Sequence, residues 1–96
     1  MLVLITYDVN TQNADGRKRL RKVAKTCIDC GRRVQNSVFE CELNAGQLLK
    51  TKERLLKQID QSKDSLRIYS LGNNYQGKIE HFGINPSFDV TEPLIV

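Results

Sequence analysis

The chain opens on Met1-Leu2-Val3-Leu4-Ile5-Thr6-Tyr7, a continuous apolar and β-branched run that stops abruptly at Asp8. Such a run predicts a strand buried on both faces. Over residues 15–30 the period changes. Leu20, Val23, Ala24, Cys27 and Ile28 recur at i, i+3, i+4, i+7 and i+8, which predicts a helix with one buried stripe. Asp15 is its candidate N-cap and Gly31 its candidate stop. Arg17, Arg21 and Lys25 step by four along an adjacent face, beside Lys18 and Lys22.

Residues 32–43 are rich in β-formers. Phe39, Cys41 and Leu43 alternate with Glu40 and Glu42, as in a strand with one wet face. Val34 and Val38 fall on the opposite parity, which predicts a bulge or twist near Ser37, or cover on both faces. Asn44 and Gln47 form a capping-box pair at the head of a second helix. Leu48, Leu55, Leu56 and Ile59 are expected to face the core there, with Lys50, Lys52, Arg54 and Lys57 in solvent. Lys63-Asp64 reads as a turn, residues 65–71 as an alternating strand, Gly72-Asn73-Asn74 as a loop, and residues 78–82 as a short edge strand. Two helices set between strands, both able to pack on one sheet face, predict an α+β two-layer sandwich of ferredoxin-like βαββαβ kind. The domain is expected over residues 1–82. The tail, 83–96, ends in Leu94-Ile95-Val96, apolar residues that need a surface to cover, and a partner subunit is one candidate.

The 96 residues carry a net charge of +4, which favours an anionic partner. Three cysteines cannot close a disulfide framework, and no secretion signal precedes the first strand, so a reducing cytoplasm is expected. No stretch reaches the roughly 20 apolar residues of a membrane span.

The candidate chemistry begins at Asp8. One reading makes it a Mg²⁺ or Mn²⁺ ligand at the end of a rigid strand. The other makes it a loop cap, accepting amides of Val9-Asn10-Thr11. Mg²⁺ usually takes one or two protein carboxylates, and no second acid lies near Asp8 in sequence. A dimer two-fold would bring in a second Asp8. Tyr7 alternates to the other face and reads as packing. Arg17, Lys18, Arg19, Arg21, Lys22, Lys25, Arg32 and Arg33 are eight of the fifteen cations, among only two acids, Asp15 and Asp29. They read as a solvated face or as phosphate contacts, with nothing that selects base sequence. Cys27-Ile28-Asp29-Cys30 lies at a helix C-terminus, where the dipole opposes a thiolate, so it does not read as a redox motif. A zinc set of Cys27, Cys30, Cys41 and His81 can be counted but is a minor reading. Cys27 and Cys41 read as packing and Cys30 as exposed. His81 reads as a surface residue before a general base.

Together, Leu4-Ile5-Thr6-Tyr7-Asp8-Val9, the basic run 16–23, residues 31–40 with Gln35-Asn36-Ser37-Val38-Phe39-Glu40, and Asp64-Ser65-Leu66-Arg67-Ile68-Tyr69 resemble the CRISPR-associated (Cas) protein two family, the small endonuclease of the adaptation pair. The resemblance implies a ferredoxin-like homodimer whose two Asp8 carboxylates face each other and share a divalent metal that activates water against a phosphodiester. It implies nucleic-acid contact at Arg17, Arg19 and Arg33, to which the charge pattern adds Arg21 and Arg32. It places Ser37 and Phe39, with Tyr7, in support of the site, and a C-terminal strand crossing to the partner. It implies spacer acquisition with the larger integrase subunit, acting on duplex DNA or single-stranded RNA. The alternative is a non-catalytic duplex-DNA adaptor that bridges integrase subunits. An RNA-binding module that stacks bases on strand aromatics is disfavoured, because Phe39 and Tyr69 are single and spaced for packing.

Overall fold

The computed structural model describes residues 1–84. The elements run β1 (Leu2–Asp8), α1 (Ala14–Cys30), β2 (Arg32–Gln35), β3 (Val38–Glu42), α2 (Ala45–Gln58) and β4 (Ser65–Gly72), with one 3-10 turn at Gln76–Lys78. The strands form a single antiparallel sheet in the order β2-β3-β1-β4. This is the ferredoxin-like α+β sandwich that the sequence predicts.

Side-chain alternation divides the sheet into two unlike faces. Val3, Ile5 and Tyr7 of β1 join Phe39 and Cys41 of β3, and with Val23, Cys27 and Leu55 of the helices they make the core. The opposite face carries Leu4, Thr6 and Asp8 of β1, Val38 and Glu40 of β3, and Arg67 and Tyr69 of β4. No helix covers it. The opening run is therefore covered by helices on one face only, and Asp8 is exposed. The desolvation cost of burying its charge does not arise.

Several local expectations change. The α1 N-cap is Asn13, not Asp15: its side chain accepts the Gly16 amide at 2.9 Å, leaving Asp15 in the first turn. Gly31 does end α1, its amide donating to Cys27 O at 3.0 Å. Its backbone is extended, so the glycine is there for close approach. A Cβ would meet the Glu40 carbonyl and the Cys41 sulfur. Ile28 and Leu56 are substantially exposed. Each lies about 100° around its helix from a fully buried neighbour, Cys27 or Leu55, and so sits at the rim of the stripe. Thr26 is buried between the helices instead, where its hydroxyl bonds Lys22 O at 3.1 Å and Gln58 Oε1 at 2.9 Å.

The parity change near Ser37 is a hairpin turn between two strands, with an irregularity in the β2–β3 register between Arg33 and Gln35. The capping box at Asn44 and Gln47 is present in both directions. The expected edge strand at 78–82 is absent: residues 79–82 are irregular and Phe82 is 84% exposed. An edge segment gains regular pairing only by lying along a neighbour, and residues 79–82 pair with none of the four described strands. The crossing strand expected in the tail falls on 85–96, outside the described residues. No helix among the described residues is long and apolar enough to cross a membrane.

Candidate metal and nucleic-acid site

Asp8 is placed by the ladder on both sides of β1. Its Cα pairs with Ser65 of β4, and one residue earlier the Tyr7 amide donates to Ser37 O at 3.2 Å. Tyr7 points to the core, stacked on Phe39 with centroids 6.1 Å apart and planes at 18°. Tyr7 and Phe39 therefore lie on the core face, away from Asp8, and Ser37 meets the strand end through its backbone carbonyl. Burial pushes the Tyr7 phenol up, against the opposing pull of Arg33.

Asp8 opens into a cleft of about 500 Å³ lined by Asn10, Thr11, Gln12, Gln61, Ser62, Lys63, Asp64 and Ser65. The loop-cap reading of Asp8 finds no support among the described residues: the Asn10 amide goes to Asp64, and neither Val9 nor Thr11 donates to the Asp8 carboxylate. A larger groove of about 600 Å³ lies on the same face, between Leu4, Val38 and the 79–84 segment. It does not include Asp8.

The five arginines separate. Arg17 and Arg21 are exposed on α1 and, with Lys18 and Lys22, pair with no acid among the described residues. They lie in the helical layer, across the sheet from Asp8's face. Arg19 is committed internally. Its Nε donates to Asp64 Oδ2 at 2.8 Å and its Nη2 to Asp64 Oδ1 at 3.2 Å. Arg32 is exposed on the face that carries Asp8 and reaches Glu40 at 3.3 Å. Arg33 turns to the helix-covered face, its guanidinium carbon 5.0 Å from the centre of the Phe39 ring, and its buried Nε has no partner.

Asp64 is the residue that sequence reading missed. It appears there as half of a turn and as the first residue of a segment that carries the resemblance, with no role of its own. Its side chain is wholly shielded, and the Arg19 guanidinium beside it holds its carboxyl down at about 2. Gly16 was equally silent as sequence. A Cβ there would run into the Asn10 carbonyl, so the glycine lets the loop after Asp8 lie against α1. The one available signal is that Gly16 and Asp64 both belong to segments that carry the family resemblance.

The cysteines do not assemble a metal centre. Cys30 and Cys41 sulfurs are 3.4 Å apart. Burial pushes Cys27 up to about 12, and the hydrogen bond between the other two raises Cys41 and lowers Cys30. His81 instead meets the Gly83 and Ile84 carbonyls at 3.0 and 3.1 Å on the opposite side of the sheet from the cysteine cluster. Among the described residues no three His, Cys, Asp or Glu side chains group as metal ligands.

A family model described as CRISPR associated protein Cas2 matches residues 1–79. The CRISPR-associated endonuclease Cas2 of Halalkalibacterium halodurans is 61% identical over 95 residues, 99% of each chain. The CRISPR-associated endoribonuclease Cas2 of Nitratidesulfovibrio vulgaris is 51% identical over 96 residues, covering 100% of this chain and 94% of that one. Among solved structures, Streptococcus pyogenes Cas2 at pH 6.5 superposes with a TM-score of 0.75 at 54% identity, covering 86% of this chain and 100% of that one. With the sheet order, the position of Asp8 and the basic helix already in place, these matches establish that the chain belongs to the CRISPR-associated Cas2 family.

Proposed function

We propose that the protein is a divalent-metal-dependent endonuclease, acting as a cytoplasmic homodimer with the larger integrase subunit in CRISPR spacer acquisition. The observation that carries this reading is Asp8: an exposed carboxylate at the end of the central strand, on the sheet face that no helix among the described residues covers. The relatives named endonuclease and endoribonuclease support the reaction class.

The donor set fits a hard cation. The cleft offers the Asp8 carboxylate with the oxygens of Asn10, Thr11, Ser62 and Ser65, and no free thiol or imidazole. Oxygen donors of this kind suit Mg²⁺ or Mn²⁺. Asp64 is unavailable as a ligand because Arg19 and two backbone amides already occupy it. The second carboxylate would be the partner's Asp8, brought in by a two-fold through the uncovered face, where Leu4, Val38 and Tyr69 provide apolar contact area. A bound divalent ion supplies a more acidic water and neutralises charge building on the phosphate. Asp8 holds the ion. Lys63, in the same cleft, faces the phosphate, and Arg32, on the same sheet face but level with Leu4, meets the nucleic acid farther from Asp8. Arg17 and Arg21 grip the flanking backbone of the nucleic acid.

A second reading, the non-catalytic duplex adaptor, is favoured by one observation. The exposed row Arg17, Lys18, Arg21 and Lys22 lies across the sheet from Asp8, so duplex binding there needs no carboxylate.

Labelled duplex DNA and single-stranded RNA, incubated with wild type and Asp8→Ala, in Mg²⁺ and in chelator, separate the two. Cleavage that requires both the metal and Asp8 supports the nuclease and identifies its substrate. Duplex binding without cleavage under any condition supports the adaptor. Sedimentation showing a monomer at micromolar concentration removes the shared Asp8 site.

A further inference from the structure

The Asp64 carboxylate is saturated from within the chain. Oδ2 accepts from Arg19 Nε at 2.8 Å and from the Asp60 amide at 2.9 Å. Oδ1 accepts from Arg19 Nη2 at 3.2 Å and from the Asn10 amide at 3.0 Å. The Asp64 side chain is 0% exposed and that of Arg19 is 17% exposed. Two of these contacts bear on Asp8. Asn10 begins the turn two residues beyond Asp8. Asp64 directly precedes Ser65, the Cα partner of Asp8 across the sheet. One buried carboxylate thus ties the strand beside Asp8 to the loop after it, and Arg19 fixes that carboxylate to α1. Gly16 presses the Asn10 carbonyl against the same helix.

We propose that Arg19 and Asp64 are positioning residues for Asp8: the two-pronged ion pair sets the β1–α1 loop, so Arg19 acts on the reaction through Asp64 and not by contacting phosphate. The proposal rests on the reading of Asp8 as the metal carboxylate. Its physical basis is directional. A guanidinium fork engaged side-on with a carboxylate has two donors fixed in one plane, which a phosphate could claim only by leaving the shielded Asp64 charge with two backbone amides and no cation. Outer contacts that orient a ligand typically change metal affinity or activity by roughly 10- to 100-fold when removed.

The test compares Arg19→Gln, Asp64→Asn and the double variant with wild type and Asp8→Ala. It reads kcat and KM for cleavage, Mn²⁺ affinity by electron paramagnetic resonance, salt dependence of nucleic-acid binding, and hydrogen exchange at the Asn10 amide. Expected are a fall in kcat of roughly 10- to 100-fold in both singles, a parallel loss of Mn²⁺ affinity, and faster exchange at Asn10. KM and the salt slope hold, and the double variant is no worse than the weaker single. The proposal is overturned if Arg19→Gln raises KM and flattens the salt slope while Asp64→Asn leaves kcat and Asn10 exchange as in wild type. Where Asp64→Asn does not fold, Arg19→Lys gives the same readouts, since it keeps the charge and loses the fork. If wild type shows neither Asp8-dependent cleavage nor Mn²⁺ binding, the nuclease reading has failed. Asn10 exchange then tests only the hold of the pair on the β1–α1 loop: acceleration in the variants shows that the hold is real while its consequence for the reaction falls with the nuclease reading, and unchanged protection overturns both.

Discussion

Asp8 and Arg33 lie on opposite faces of the same sheet. Asp8 sits at the end of β1 on the uncovered face, while Arg33 stacks over Phe39 beneath the helices. Adjacent Arg32 alternates back to Asp8's side and pairs in register with Glu40. Two neighbouring arginines, indistinguishable by charge, therefore have different work to do.

Arg33→Ala should lower stability by about 1 kcal/mol through loss of the cation–π contact and of stem packing. Arg32→Ala should stay within about 0.5 kcal/mol, as is usual for an exposed position. Urea unfolding of the two variants checks this. Equal, negligible effects would mean that the Arg33–Phe39 stacking contributes nothing.

Arg17 and Arg21 give the opposite expectation. They are exposed, one turn apart, and unpaired among the described residues, so removing both should leave stability nearly unchanged. Each lost phosphate contact removes about 0.9 from the slope of log affinity against log salt for duplex DNA. The double alanine variant should therefore flatten that slope by about 2. A slope equal to that of wild type would mark the helix as an ordinary solvated face.

The architecture was legible because it rests on period. The switch from a continuous apolar run to 3.6-residue spacing, and then to alternation at 39–43, fixed the order of strands and helices. Asp8 was legible because a charge at the end of such a run breaks the pattern. What pattern could not carry was pairing across sequence distance. Nothing local to Arg19 distinguishes it from Arg17 or Arg21, and its partner lies 45 residues away. At Ser37 parity left a bulge, a twist or two covered faces open, and the structure has a hairpin with a register irregularity between Arg33 and Gln35, devices that each shift the alternation by a residue. Residues 78–82 look like a strand by composition, yet composition does not supply the neighbour a strand needs.

The Arg19–Asp64 pair predicts a pH signature. Asp64 is held down at about 2 against an ordinary value of 3.8. The unfolded chain takes up its proton first, so stability rises with pH in this window. The contribution is complete above the ordinary carboxylate range and is lost as pH falls from about 4 through 2. Thermal melts from pH 6 to pH 2 should show a steeper acid loss in wild type than in Asp64→Asn. Parallel profiles would show that the carboxylate is not stabilised by folding.

Gly16 and Gly46 both occupy the first turn of a helix, and they should respond to alanine with opposite signs. In a helix interior, alanine is favoured over glycine by up to about 1 kcal/mol. At Gly46 the new Cβ would meet only Asn44 Oδ1 at 3.5 Å, an ordinary contact. Gly46→Ala should therefore stabilise α2 by some part of that amount. At Gly16 the Cβ would collide with the Asn10 carbonyl, a backbone atom that can move only by displacing the loop after Asp8. Overpacking of this sort costs about 1–3 kcal/mol, which outweighs the propensity gain. Gly16→Ala should lower the melting temperature and, because the displaced loop adjoins Asp8, reduce cleavage more than the stability loss explains at temperatures where the variant is fully folded. Melting curves with single-turnover cleavage at low temperature check both halves. A Gly16→Ala variant as stable and as active as wild type would mean that the loop relaxes freely, and that its packing against α1 does not hold Asp8 in place.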